Sequence, residues 1–130
     1  MKKIYIAGPI TGREKEAEIQ FKQTADQLRD AYPNTTIINP MALDHNHDKE
    51  WASYMSVCIK ELITCDTIYL LPDWLNSAGT IIEVLIAWRM GITTIDSING
   101  EVTKLNLRMY PEYEVSPSAM GFLNQYCCLT

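Results

Sequence analysis

Cysteine is scarce in this sequence, with four among 130 residues. Cys58, Cys65, Cys127 and Cys128 form no Cys-x-x-Cys pair and stand at no zinc-finger spacing from a histidine, which argues against a metal-held framework. Cys58 and Cys65 are expected simply to pack, and the adjacent pair at 127 and 128 carries no assigned role. Positive charge is also in deficit. Eleven Lys and Arg against sixteen Asp and Glu leave a net charge of −5, which opposes attraction to a nucleic acid polymer or an anionic membrane. There is no apolar run of about 18 residues. The Met1-Lys2-Lys3 start leads straight into a strand-like segment rather than the apolar region of a signal peptide. A cytoplasmic protein with a small-molecule ligand is the expectation, and neither a cofactor nor a metal is called for.

What is present is ordinary for a globular chain: 47% hydrophobic and 21% charged residues. The length suits one domain over 1–130, with a core at about 3–95 and an extension over 96–130. Repeats, low-complexity stretches and interdomain linkers are lacking.

Lys3 to Ala7 is a β-prone apolar run closed by Gly8-Pro9, and its loop continues to Gly12. Ala17, Phe21, Ala25 and Leu28 then recur at steps of three and four, which predicts a helix from about Arg13 to Ala31, stopped by Pro33. Thr35 to Ile38 is β-branched throughout and reads as a second strand. After a loop over Met41 to Lys49, helical spacing from Trp51 to Cys65 precedes the nearly continuous apolar run Thr67 to Leu71, a strand buried on both faces. A polar segment, Asp73 to Gly79, leads to an apolar helix over Thr80 to Met90, capped by Gly91. Ile92 to Ile95 is the next strand. Beyond Asp96 the pattern weakens, with Leu105 to Met109 a candidate edge strand and Ser118 to Tyr126 a candidate helix. The alternation predicts an α/β, doubly wound, flavodoxin- or Rossmann-like fold, its mainly parallel sheet covered by helices on both faces. Ligands in such folds sit at the loops after the strands' C-terminal ends, here 8–12, 39–48 and 72–79.

Glu83 stands out as the only acid in an otherwise apolar helix. One reading is a capping box, Thr80-x-x-Glu83, in which the carboxylate reaches back to the capping residue's N–H. The other is a desolvated carboxylate facing the ligand loops. Ser77 and Gly79 precede it with amides suited to an anion, although Ser is also a common N-cap. Gly8-Pro9-Ile10-Thr11-Gly12 is a second phosphate-facing candidate, but it is neither a Walker A nor a GxGxxG sequence. Asp66 suits a turn as well as a site, and Tyr5 suits the core as well as a site. Trp74 suits a stacking contact with a base or a packed lid. Asp44-His45-Asn46-His47-Asp48 reads as a polar loop rather than a metal cluster.

Taken together, Ile4 to Gly12, Cys65-Asp66-Thr67-Ile68, Leu71-Pro72-Asp73-Trp74, Ser77-Ala78-Gly79 and Glu83 resemble the nucleoside 2-deoxyribosyltransferase-like superfamily, in particular a branch of small bacterial and phage proteins. The resemblance implies cleavage of a nucleotide or nucleoside N-glycosidic bond, by hydrolysis or transfer. It assigns Glu83 as nucleophile at the anomeric carbon, Asp66 to the base or its proton, and Tyr5 to orienting Glu83. In the deoxynucleoside 5′-monophosphate N-glycosidases of this group, the residues matching Ser77 and Gly79 hold the 5′-phosphate. The transferases acting on unphosphorylated nucleosides commonly carry an acid at the position of Ser77, which would repel a phosphate. A homo-oligomer is also implied. The chain departs from its relatives at Cys58, Leu75 and Asp73, where Asp, Glu and Gly are usual. The loss of the acid at 58 keeps a non-catalytic nucleotide-binding module as the alternative.

Overall fold

The structure is a computed structural model that describes residues 1–45 and 50–102. The candidate elements at 105–109 and 118–126, the cysteines at 127 and 128, and residues 46–49 lie outside the described residues. The chain runs through strand β1 (Lys3–Ala7), helix α1 (Glu14–Ala31), strand β2 (Thr36–Ile38), helix α2 (Trp51–Leu62), strand β3 (Thr67–Leu70), helix α3 (Ala78–Arg89), strand β4 (Thr93–Asp96) and strand β5 (Gly100–Val102). Short 3-10 turns occupy Pro40–Ala42 and Trp74–Asn76.

The sheet order is β2-β1-β3-β4-β5. The first four strands are parallel, with Tyr5 opposite Ile68 and Ile68 opposite Thr94, whereas β5 returns antiparallel to β4. This is the doubly wound flavodoxin-like arrangement expected from the alternating pattern. Strand β5 carries no periodic signal, because three residues opened by a Gly at φ 82 are too few to display an alternation.

Two apolar layers enclose the sheet. Ala17, Phe21, Ala25 and Leu28 of α1 pack with Ile4, Ile6, Ile37 and Leu71 on one side. On the other, Cys58 and Leu62 of α2 and Ile81, Val84 and Ala87 of α3 pack with Tyr5, Ala7, Ile68 and Leu70. Residues alternate in direction along β1, so Ile4 and Ile6 serve one layer while Tyr5 and Ala7 serve the other.

The chain leaves β1 toward α1 on one face and leaves β3 toward α3 on the other. Between β1 and β3 the loops therefore diverge, and this switch point is where such folds form a ligand crevice. The two loops start in close contact. The Leu71 N–H donates to the Ala7 carbonyl at 2.8 Å, and a Cβ added to Gly8 would lie 2.8 Å from the Leu71 Cβ. Gly8 is thus required by packing. Asp73 adopts φ 64, a left-handed conformation that favours Gly and that Asp tolerates better than most residues.

Candidate active site

Helix α3 starts earlier than its apolar run. Ser77 is its N-cap, with its Oγ accepting from the Thr80 N–H at 3.2 Å and from the Thr80 hydroxyl at 3.0 Å. Thr80 is consequently inside the first turn, and the Thr80-x-x-Glu83 capping box does not form. Glu83 lies almost a further turn along, on the buried face of α3. Only 6% of it is exposed.

Burial pushes the Glu83 carboxyl up to about 8, and the nearby Tyr5 hydroxyl offsets part of that effect. Among the described residues, Tyr5 Oη nevertheless closes no hydrogen bond, and neither does Glu83 Oε2. Tyr5 is fully buried. Desolvation, the Glu83 charge and Cys58 all raise its hydroxyl above the ordinary range.

Helix α2 supplies the other side of this cluster. Cys58 is buried, and desolvation pushes its thiol up to about 11, although the nearby Tyr5 and Tyr54 hydroxyls oppose the rise. Tyr54, one turn before it, is raised by its own desolvation and by Cys58 and Glu83. Its Oη likewise has no partner. Spacing alone marked Cys58 as packing, and it gave Tyr54 no role. The only available signal was the i, i+4 relation between two polar-tipped residues on the buried stripe of α2.

Asp66 does not join this cluster. It precedes β3, whereas the ligand loops follow the opposite ends of the strands, roughly 13 Å further along β3. Its Oδ2 accepts from the N–H groups of Lys2 at 2.8 Å and Lys3 at 3.2 Å, and its Oδ1 accepts from the Thr67 hydroxyl. Slight burial raises its carboxyl, but the Lys2 N–H, the Thr67 hydroxyl and the Lys3 N–H together hold it below the ordinary value. The assignment of Asp66 to the base is corrected accordingly: it pins the start of β1 to β3.

Trp74 also differs from expectation. It is fully buried, and its indole N–H donates to Asp96 Oδ2 at 3.1 Å, so it is no stacking surface for a base. Asp96 Oδ1 accepts from Ile98 N–H and Asn99 N–H, tying the turn into β5 to the same anchor.

The remaining candidates lie around the crevice. Pro9 and Ile10 are half-buried, and their carbonyls accept from the Arg13 guanidinium at 2.8 Å and the Arg13 N–H at 3.0 Å. Gly12, at φ 80, turns the chain into α1. At the start of α3, the Ala78 and Gly79 amides donate to no acceptor among the described residues. With its lone pairs engaged by Thr80, Ser77 retains its own O–H to donate. A Cβ at Gly79 would meet Met55 Sδ at 3.2 Å, so this glycine lets α3 approach α2 closely. An open groove of about 440 Å³ lies between the outer sides of these helices, lined by Trp51, Met55, Ile59 and Ile82. Glu83 faces the opposite way, into the core.

The strand order and the single antiparallel edge strand define a protein of doubly wound, flavodoxin-like α/β fold. In structure the chain is similar to a 2-desoxiribosyltransferase from Leishmania mexicana, with TM-score 0.60, 16% identity, and coverage of 98% of this chain and 99% of that one. It is also similar to a conserved protein from Enterococcus faecalis V583, with TM-score 0.59, 17% identity, and coverage of 97% and 88%. Residues 2–96 match the family model described as a domain of unknown function, DUF4406, and the chain belongs to that family. No curated protein matches it by sequence. No helix among the described residues is long and apolar enough to cross a membrane.

Proposed function

We propose that this protein binds a nucleoside 5′-monophosphate and cleaves its N-glycosidic bond, with Glu83 as nucleophile at the anomeric carbon. The observation that carries the proposal is a nearly fully buried carboxylate, beside a buried tyrosine hydroxyl, in which neither Glu83 Oε2 nor Tyr5 Oη has a partner. Leaving such a group unpaired costs about 1–3 kcal/mol, so the arrangement suits a ligand that completes it. The structural likeness to a deoxyribosyltransferase supports the same chemistry.

Breaking the C–N bond builds positive charge on the sugar. A carboxylate in a water-poor site stabilises that charge and can bond to the anomeric carbon, while the electron pair of the broken bond leaves with the base. Water then releases the sugar in a hydrolase, and a second base takes it in a transferase. Glu83 must be ionised to act, and the raised value means that substrate binding has to favour the anion. Tyr5 would orient the carboxylate and donate to it. The Ser77 hydroxyl and the Ala78 and Gly79 amides would hold the phosphate, at the positive end of the helix dipole. Glu83 follows Ser77 by six residue steps of helix, an axial rise of roughly 9 Å that suits a pentose phosphate reaching between them.

A second reading is a nucleotide-binding module without turnover. It is favoured by the absence of any second carboxylate coupled to Glu83 among the described residues, Cys58 standing where relatives carry Asp. Release of free base from a panel of ribo- and deoxyribonucleoside monophosphates, followed by chromatography, separates the two. Cleavage by the wild-type protein that is abolished in Glu83→Gln supports the first. Binding without cleavage would support the second, and full activity in Glu83→Gln would remove Glu83 from the mechanism.

A further inference from the structure

A second pair of unpartnered buried polar atoms extends the site away from Glu83. The His45 ring, in the loop after β2, stacks on the Tyr54 ring with centroids 4.0 Å apart and planes 11° from parallel. His45 Nε2 lies 2.8 Å from the Pro40 carbonyl oxygen. A carbonyl only accepts, so Nε2 carries the hydrogen and Nδ1 of the neutral ring is a bare acceptor. That Nδ1 is buried and has no partner among the described residues, and the same holds for Tyr54 Oη. Tyr54 in turn packs against the buried cluster that contains Tyr5 and Cys58.

The loop from β2, helix α2, strand β1 and helix α3 therefore contribute His45 Nδ1, Tyr54 Oη, Tyr5 Oη and Glu83 Oε2 to one region, each without a hydrogen-bond partner. Buried polar atoms are nearly always satisfied in native proteins. Four exceptions on four separate segments mark a place that a polar ligand fills. Because the two stacked rings hold each other's orientation, the acceptor on His45 and the hydroxyl on Tyr54 are presented as a fixed pair rather than as mobile surface groups.

We propose that His45 and Tyr54 form the wall of the site that reads the leaving nucleobase, His45 Nδ1 accepting an N–H from the base and the Tyr54 hydroxyl donating to a ring nitrogen or carbonyl oxygen. This inference rests on the nucleotide reading above. If Tyr5 and Glu83 serve the sugar, the pair one step further out is available for the base. A rigid acceptor and donor also match the paired donor and acceptor on a base edge.

The test is calorimetry in a Glu83→Gln background, so that the nucleotide survives the titration, with a panel of deoxynucleoside 5′-monophosphates and with 2-deoxyribose 5-phosphate as probes. Tyr54→Phe and His45→Phe are each expected to weaken the best-bound nucleotide about tenfold, as loss of a buried hydrogen bond does, and to leave 2-deoxyribose 5-phosphate within about twofold. Tyr54→Phe removes only a hydroxyl that has no partner among the described residues, so its thermal midpoint is expected not to fall. Equal weakening of both probes would overturn the proposal in favour of a sugar contact, and unchanged nucleotide affinity in both variants would overturn it outright. If the Glu83→Gln protein with His45 and Tyr54 intact binds 2-deoxyribose 5-phosphate but no nucleotide, the base wall is refuted alone. Binding of neither probe refutes the nucleotide reading and this inference together.

Discussion

Glu83→Gln should make the protein more stable at the same time as it removes activity, and the gain should depend on pH. The Glu83 carboxyl titrates at about 8 in the folded chain against an ordinary value of 4.5, because burial disfavours its charged form. A folded-state value above the unfolded one means that stability is complete below pH 4.5 and falls as pH rises toward about 8. Each unit corresponds to about 1.4 kcal/mol, so the wild-type protein at pH 7 has lost about 3 kcal/mol relative to its acidic form, and at pH 9 about 5 kcal/mol as a ceiling. Gln mimics the neutral acid and escapes that loss. The two proteins should match within about 1 kcal/mol at pH 5 and diverge above it. Urea denaturation at pH 5, 7 and 9, followed by tryptophan fluorescence with the buried Trp74 as reporter, measures the difference; at pH 7 the variant's midpoint should be higher by about 1–2 M. Other groups titrate alike in both proteins and cancel. A wild-type midpoint no lower than the variant's at pH 9 would show that Glu83 is not held in an apolar, ligand-free environment.

Ser77→Asp should weaken binding of a nucleoside 5′-monophosphate at least tenfold and leave the unphosphorylated nucleoside unaffected, by calorimetry, since a charge-assisted hydrogen bond contributes about 1.5–3 kcal/mol. Asp is as good an N-cap as Ser, so helix stability should be retained; equal affinities of nucleotide and nucleoside in the wild-type protein would refute the phosphate site. Asp66→Asn should lower stability at neutral pH without changing base release per folded molecule. Because the Asp66 carboxyl is held below its ordinary 3.8, the wild-type advantage should disappear as pH falls below that value. A selective loss of base release in this variant would return Asp66 to the chemistry.

Much of the architecture was legible in the residues. The three- and four-step spacing of Ala17, Phe21, Ala25 and Leu28 specified α1, and the apolar runs at 3–7 and 67–70 specified buried parallel strands, because periodicity is a local property of the chain. The solitary acid of α3 was equally plain as an anomaly. Its meaning was not, since Thr80-x-x-Glu83 fits a capping box unless the helix starts at Ala78, and that start depends on the Ser77 cap. Asp66 shows the limit most clearly. Its neighbours Cys65 and Thr67 matched the expected motif, but a strand has two ends, and only the parallel pairing of Ile4 with Thr67 puts Asp66 beside the chain's start rather than in the crevice. Trp74, beside a ligand loop in sequence, is drawn into the core by Asp96, 22 residues away. The converse holds for His45, Tyr54 and Cys58: their sequence signals are those of loop and core, and they become candidates only when β1, α2 and α3 converge and leave His45 Nδ1, Tyr54 Oη, Tyr5 Oη and Glu83 Oε2 without partners. Local periodicity fixed the elements, while the identity of the groups facing one another across the sheet depended on long-range pairing and the direction of each strand.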